Sequence, residues 1–172
     1  PQPRRRGGGF AAGVTAADFT GLRFRNIGPA TMSGRFVDMD VVESNPYTMY
    51  VASATGGIYR TTDNGITWTP VFEKEAVHSV GDIAIYQPDP NIIWVGTGEE
   101  CGRNSAAWGD GVYKSTDGGA TFKHVGLKES FNIGKIILHP TNENIVYVAA
   151  VGNIWAPIGE RGLYKTIDGG AT

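Results

Sequence analysis

Cysteine is almost missing from this 172-residue chain. Cys101 stands alone, so no disulfide can form within it, and without a base assigned to activate it the thiol is no candidate nucleophile. Long apolar runs are missing as well: no stretch approaches the roughly 18 consecutive apolar residues that a membrane-crossing helix needs. Helical periodicity is absent, because no segment sustains apolar residues at i, i+3, i+4 and i+7 beyond a turn. The three histidines, His78, His124 and His139, offer no paired metal-ligand spacing. The stretch "GDGVYKSTDGG" lacks the Gly-Lys-Ser/Thr that a phosphate loop requires. Charge of one sign is also lacking, with 15 basic against 17 acidic residues and a net charge of −2.

What the chain has is glycine, 25 residues in short turn-like clusters, in a globular composition that is 41% hydrophobic and 19% charged. That combination points to many short strands joined by tight turns. The length suffices for one ordinary domain with a sizeable core. The charge is unevenly spread. Residues 1–35 hold Arg4, Arg5, Arg6, Arg23, Arg25 and Arg35 against Asp18 alone, so a basic arm precedes an acidic body. The chain starts at Pro1 rather than Met, which fits a cleaved export signal and equally an engineered or proteolytic start.

Three phrases recur in order when the chain is aligned with itself. The first is an alternating apolar segment: "GRFVDMDVV" from Gly34, "GDIAIYQP" from Gly81 and "GKIILHP" from Gly134. The second follows a polar turn: "NPYTMYVAS", "DPNIIWVGT" and "NENIVYVAA". The third is "GIYRTTDNGITW", "GVYKSTDGGATF" and "GLYKTIDGGAT", whose aspartates Asp63, Asp117 and Asp168 lie about fifty residues apart. Each phrase reads as strand, with β-branched and aromatic runs bounded by turn residues. "IYRT", "VYKS" and "LYKT" form a third strand, and "ITWTPVF" and "TFKHV" a fourth. Four short antiparallel strands per repeat is the unit of a propeller blade. The all-β chain is thereby expected to hold about two and a half blades of an incomplete ring.

The third phrase has the form Ser/Thr-x-Asp-x-Gly-x-Thr-Trp/Phe, a hairpin turn between the third and fourth strands. Its aspartate accepts backbone N–H bonds across the turn, and Gly65, Gly119 or Gly170 supplies a positive φ. The aromatic ring, Trp68 or Phe122, covers the turn from inside. These phrases resemble Asp-box (bacterial neuraminidase, BNR) repeats, as found in sialidase-like and sortilin-type (VPS10-like) β-propellers. The resemblance spans about Gly21 to Thr172 and is closest to large exported bacterial propellers. It implies that Asp63, Asp117 and Asp168 are structural, on the rim away from the ligand face, and places the protein in the periplasm or outside the cell. Sialidase activity requires an arginine triad and a Tyr/Glu nucleophile pair; "RFRNIGP" only loosely echoes the family's Phe-Arg-Ile-Pro motif, so no catalytic residue, cofactor or metal ligand is assigned.

The division expected is a flexible basic arm (1–20), an opening strand (21–33), blade 1 (34–80), blade 2 (81–133) and a truncated blade 3 (134–172). The last turn stops before its aromatic residue, so the chain reads as the N-terminal part of a longer molecule. The opening strand "GLRFRNIG" either completes a last blade or docks on another subunit. Two insertions, Gly96–Gly111 and Val151–Gly162, fall between second and third strands, and both project from the face where propellers bind. They carry Trp108, Trp155, Arg103 and Arg161, residue types that anchor interfaces; packing of the two tryptophans on their own loops is the alternative. Glu99 and Glu100 make a poor acid/base pair, because adjacent side chains at a strand end point to opposite sides. Arg4, Arg5 and Arg6 suit contact with a partner or an anionic membrane surface. Nucleic acid is not expected, since the acidic body offers no basic groove with interleaved aromatics. The expected role is a non-enzymatic extracytoplasmic binding or scaffolding module, an extrinsic subunit of a larger membrane complex with protein partners. The rival is a glycoside hydrolase or peptidase whose catalytic residues lie outside this segment.

Overall fold

The computed structural model describes residues 35–102 and 106–172, and within them every regular element is a strand. The basic arm, the opening strand and Arg4, Arg5, Arg6 and Arg103 lie outside the described residues. In chain order the strands are β1 (Phe36–Val41), β2 (Met49–Ser53), β3 (Gly57–Thr61), β4 (Thr69–Pro70), β5 (Val80–Ile85), β6 (Ile93–Thr97), β7 (Val112–Ser115), β8 (Lys123–Gly126), β9 (Ile133–Leu138), β10 (Val146–Ala150) and β11 (Gly162–Thr166). They form three antiparallel sheets, β1-β2-β3-β4, β5-β6-β7-β8 and β9-β10-β11, each a meander in which sequence neighbours pair. β4 is shorter than "ITWTPVF" suggests. Pro70 has no N–H to give to a ladder, and pairing resumes only through Val71 N to Ile58 O at 2.9 Å.

The sheets stack face to face. Tyr50, Ala52, Ile58 and Phe72 of the first pack on Val80, Ile83, Ile85, Ile93 and Val95 of the second. On its other face the second sheet presents Trp94 and Val112 to Ile133, Ile136, Val146 and Val148 of the third. The middle sheet is therefore covered on both sides, and its β6, "IWVGT", is buried at every residue. That explains its near-continuous apolar run where a one-sided strand alternates. Each large apolar side chain fully buried this way contributes about 1.5–3 kcal/mol. Phe72 anchors the first interface, edge-to-face with Tyr113 at 5.3 Å and with Phe122 at 4.9 Å.

β1, β5 and β9 stand side by side along one edge of the stack, as the innermost strands of propeller blades do. Each carries a bulge at the same place, after Phe36, Val80 and Ile133. The bulge corrects the repeat alignment: the counterpart of Gly81 and Gly134 is Val37, three residues beyond Gly34. The extra residue of a bulge shifts the side-chain alternation, so a glycine match in sequence is no guide to register there. With the bulges aligned, Asp38, Asp82 and Lys135 occupy one position. Asp38 Oδ2 accepts the Ile83 N–H of the next sheet at 3.1 Å, and Asp82 Oδ2 accepts that of Ile136 at 2.7 Å. These carboxylates tie each inner strand to the next. In the third sheet the series changes sign: Lys135 Nζ turns back to Asp82 Oδ1 at 2.6 Å and approaches Asp38 at 3.8 Å.

Candidate functional site

Strand registers put the repeated turns at one end of the sheets and the long insertions at the other. At the turn end the sequence builds the same object three times. Asp63 Oδ1 and Oδ2 accept the Thr67 N–H and hydroxyl at 2.9 and 2.6 Å. Asp117 does the same for Thr121 at 2.9 and 2.6 Å, and Asp168 for Thr172 at 3.0 and 2.6 Å. Hydroxyl and amide donors hold these carboxyls well below the usual carboxylate range, to about 2 for Asp63 and Asp117. The motif's first residue, Ser or Thr in the sequence pattern, has a role that the pattern did not assign. Thr61, Ser115 and Thr166 donate their hydroxyls to the aspartates and accept the N–H groups of Gly65, Gly119 and Gly170. Gly65, Gly119 and Gly170 have φ of 85°, 80° and 90°, and the residue before each is left-handed too. Phe122 packs into the core, whereas Trp68 is 41% exposed and donates its indole N–H to Gly65 O at 3.1 Å.

Three clefts also belong to this end. Open grooves of about 320 and 490 Å³ lie between successive turns, the first lined by Lys114 and Asp168–Ala171, the second by Arg60 and Gly119–Phe122. A third, about 490 Å³, lies between the Tyr86–Pro88 and His139–Pro140 turns. The first two repeat in register, as seams between stacked sheets do. Among the described residues no group of three His, Cys, Asp or Glu side chains could hold a metal ion. His124 Nε2 meets Asp110 O at 2.7 Å, and His139 Nδ1 accepts the Thr141 N–H at 3.2 Å, so both imidazoles brace local backbone.

Among the described residues, the opposite end is built from 98–102 and 106–111 of the first insertion, 151–161 of the second, and the connector between β8 and β9. The connector joins the two insertions. Gly109 N donates to Phe131 O at 2.6 Å, and Trp108 lies edge-to-face on the Phe131 ring at 5.4 Å. From the other side Glu160 N donates to Glu129 O at 2.9 Å, while Glu129 N donates to Glu160 Oε2 at 3.0 Å. Gly159 comes so close that a Cβ there would sit 2.6 Å from the Phe131 ring. Phe131 itself is left-handed, at φ 58°. It went unnoticed in the sequence because a connector outside the repeated phrases has no counterpart to compare.

On this braced surface Trp108 is 53% exposed and Trp155 59%. Arg161 is tied inward, its guanidinium donating to Asn153 O at 2.7 Å and packing on Gly152. Beneath the loops Glu99 is fully buried and paired with Arg35, while Glu100 is exposed. Glu99 and Glu100 do point apart. Asn132 Nδ2 donates to Glu99 O at 2.6 Å. The arrangement is a rigid, aromatic, mixed-charge face with its nearest buried carboxylate already paired.

No protein-family model matches the chain, and no curated protein does. Solved structures do. An ancestral GH74 enzyme superposes with a TM-score of 0.61 at 23% identity, covering 84% of this chain and 18% of its own. The GH74 xyloglucanase from Xanthomonas campestris gives 0.59 at 18% identity, covering 77% and 20%. YCF48, solved bound to D1 peptide, gives 0.56 at 16% identity, covering 85% and 40%. The chain thus spans about a fifth of the GH74 enzymes and two-fifths of YCF48. At these identities the likeness is one of fold: the three stacked sheets are part of a β-propeller.

Proposed function

We propose that this chain is a binding or scaffolding part of an extracytoplasmic β-propeller, without catalysis of its own, and that it holds protein partners through the loop face. The carrying observation is the pair of exposed tryptophans on insertions locked together by the Phe131 connector. Large aromatics exposed on a preorganised support are what interface hot spots are made of, since little side-chain entropy remains to be lost on binding. YCF48, of the same fold, is recorded with a bound peptide, which supports a peptide or protein as the ligand class. On this reading the repeated turns are Asp boxes of the sortilin-like kind, structural and remote from the ligand. The protein is an extrinsic subunit of a periplasmic or extracellular assembly, and Arg4, Arg5 and Arg6 touch its membrane surface or a neighbouring subunit.

A second reading has an observation of its own. Both the ancestral protein and the Xanthomonas campestris xyloglucanase are GH74 enzymes, so the segment also fits the opening blades of a glycoside hydrolase whose reacting groups lie elsewhere. Two measurements separate them. The binding role requires that Trp108→Ala with Trp155→Ala lower retention of solubilised native membrane complexes at least tenfold relative to wild type. The hydrolase role requires release of reducing sugar from xyloglucan by the native polypeptide. Unchanged retention together with hydrolysis overturns the binding reading.

A further inference from the structure

Three polar links close the seam between the first and second sheets along β1 and β5. Asp38 and Asp40 accept the N–H groups of Ile83 and Ile85 at 3.1 and 2.7 Å. At the turn end the Gln87 carboxamide completes the series. Its Oε1 accepts the Glu43 N–H at 2.9 Å, and its Nε2 donates to Val41 O at 3.0 Å. Each link satisfies an inner-strand group that faces away from its own ladder.

The seam between the second and third sheets keeps only the first of these links. Its hairpins align residue for residue with the earlier one, since Val42, Tyr86 and His139 donate to Thr48 O, Ile92 O and Ile145 O. In that alignment Asp82 stands for Asp38 and accepts the Ile136 N–H, but Ala84 stands for Asp40 and Pro140 for Gln87. Neither replacement has a side-chain polar atom. Because Tyr86 and His139 pair across their hairpins, the Ile85 C=O, Gln87 N–H and Leu138 N–H beside them point off the ladder. No described residue gives any of the three a partner. The cleft of about 490 Å³ opens at this place, between two described sheets, walled by Ile85, Tyr86, Pro88, Leu138 and Pro140.

We propose that this cleft binds a peptide through the primary carboxamide of an Asn or Gln side chain. The first seam shows the bonding. The carboxamide oxygen accepts the Gln87 N–H and its nitrogen donates to Ile85 O, as Gln87 itself serves Glu43 and Val41. The Leu138 N–H then takes a carbonyl of the peptide backbone, in the place that Asp40 fills for Ile85. The cleft's volume lies in the range of ligand pockets and admits a short peptide segment, not a lone side chain. A carboxylate there accepts but does not donate, which leaves Ile85 O unpaired, and an aliphatic side chain serves neither group. The site is separate from the tryptophan face at the other end of the sheets.

The test is an NMR titration of the full chain labelled with nitrogen-15 glutamine, which reports on Gln87 with Gln2 as the only other glutamine. The probes are acetyl-Ala-Gln-Ala-N-methylamide and its Glu and Leu counterparts, so that the Gln side chain is the only primary amide among them. The expected result is a saturable shift of the Gln87 backbone amide by the Gln peptide, with a Kd roughly tenfold or more below those of the other two. Pro140→Gln supplies the missing carboxamide from within. It is expected to shift the Gln87 amide without peptide and to weaken binding by roughly tenfold or more. A Gln87 amide that does not move, equal affinity for the three peptides, or undiminished binding by Pro140→Gln overturns the proposal.

Discussion

Replacing Asp82 by alanine removes the acceptor that joins the second inner strand to the third. The Ile136 N–H, at a residue 2% exposed, loses its 2.7 Å partner. An orphaned buried amide costs about 1–3 kcal/mol, whereas Lys135, whose side chain is 55% exposed, simply returns to water. The expected loss at pH 7 is about 2 kcal/mol, near 1 M in the urea midpoint for a slope of about 2 kcal/mol/M. Asp82→Asn keeps an acceptor for Ile136 and is expected to lose less. Acidification sharpens the contrast. Burial raises the Asp82 carboxyl to about 6, against the bonds from Lys135 and Ile136 that pull it down. A raised folded-state value means that the native state binds the proton more tightly than the unfolded chain. This contribution is therefore complete below about pH 4 and is lost as pH rises toward 6. The gap between wild type and Asp82→Ala is expected to widen from pH 7 to pH 5 in urea melts followed by tryptophan fluorescence. A gap that narrows on acidification would mean that the ion pair with Lys135 outweighs burial, and the reasoning would fail.

Two further outcomes follow from local geometry. Gly98→Ala forces a side chain onto a backbone at φ +89° with its Cβ 2.0 Å from Phe131 O, so a loss of more than about 2 kcal/mol is expected in a thermal melt, with Gly102→Ala, which meets nothing within 4 Å, as the silent control. Carboxyl NMR titration is expected to find Asp63 and Asp117 ionising at about 2, so the stability these turns contribute persists as pH falls to 4 and disappears below it; midpoints near 4 would show that the hydroxyl and amide bonds are not made.

The turns and strands were legible in the sequence because they obey local rules. A carboxylate two residues before a glycine and four before a threonine can close only one kind of hairpin, and "NIIWVG" has nowhere to be but in a strand. The hydroxyls of Thr61, Ser115 and Thr166 were also in plain view, but Ser and Thr are common enough before a turn that their double role shows only in coordinates. The inter-sheet series Asp38, Asp82, Lys135 was hidden by the bulge, which displaces the first repeat by three residues relative to its glycine. The loop face was half legible. Trp108 and Trp155 stood out by type, whereas the bracing by Phe131 and the pairing of Glu99 with Arg35 depend on contacts far apart in sequence. Arg161 illustrates the limit of residue type, since its charge is spent on its own loop.

Hydrogen–deuterium exchange, comparing the isolated chain with the protein in its native assembly, bears most directly on the role assigned to the loop face. Protection is expected in residues 98–102, 106–111, 127–132 and 151–161, with the turns 61–68 and 115–122 exchanging alike in both states. Unchanged exchange across the loop face, or protection confined to those turns, would contradict it.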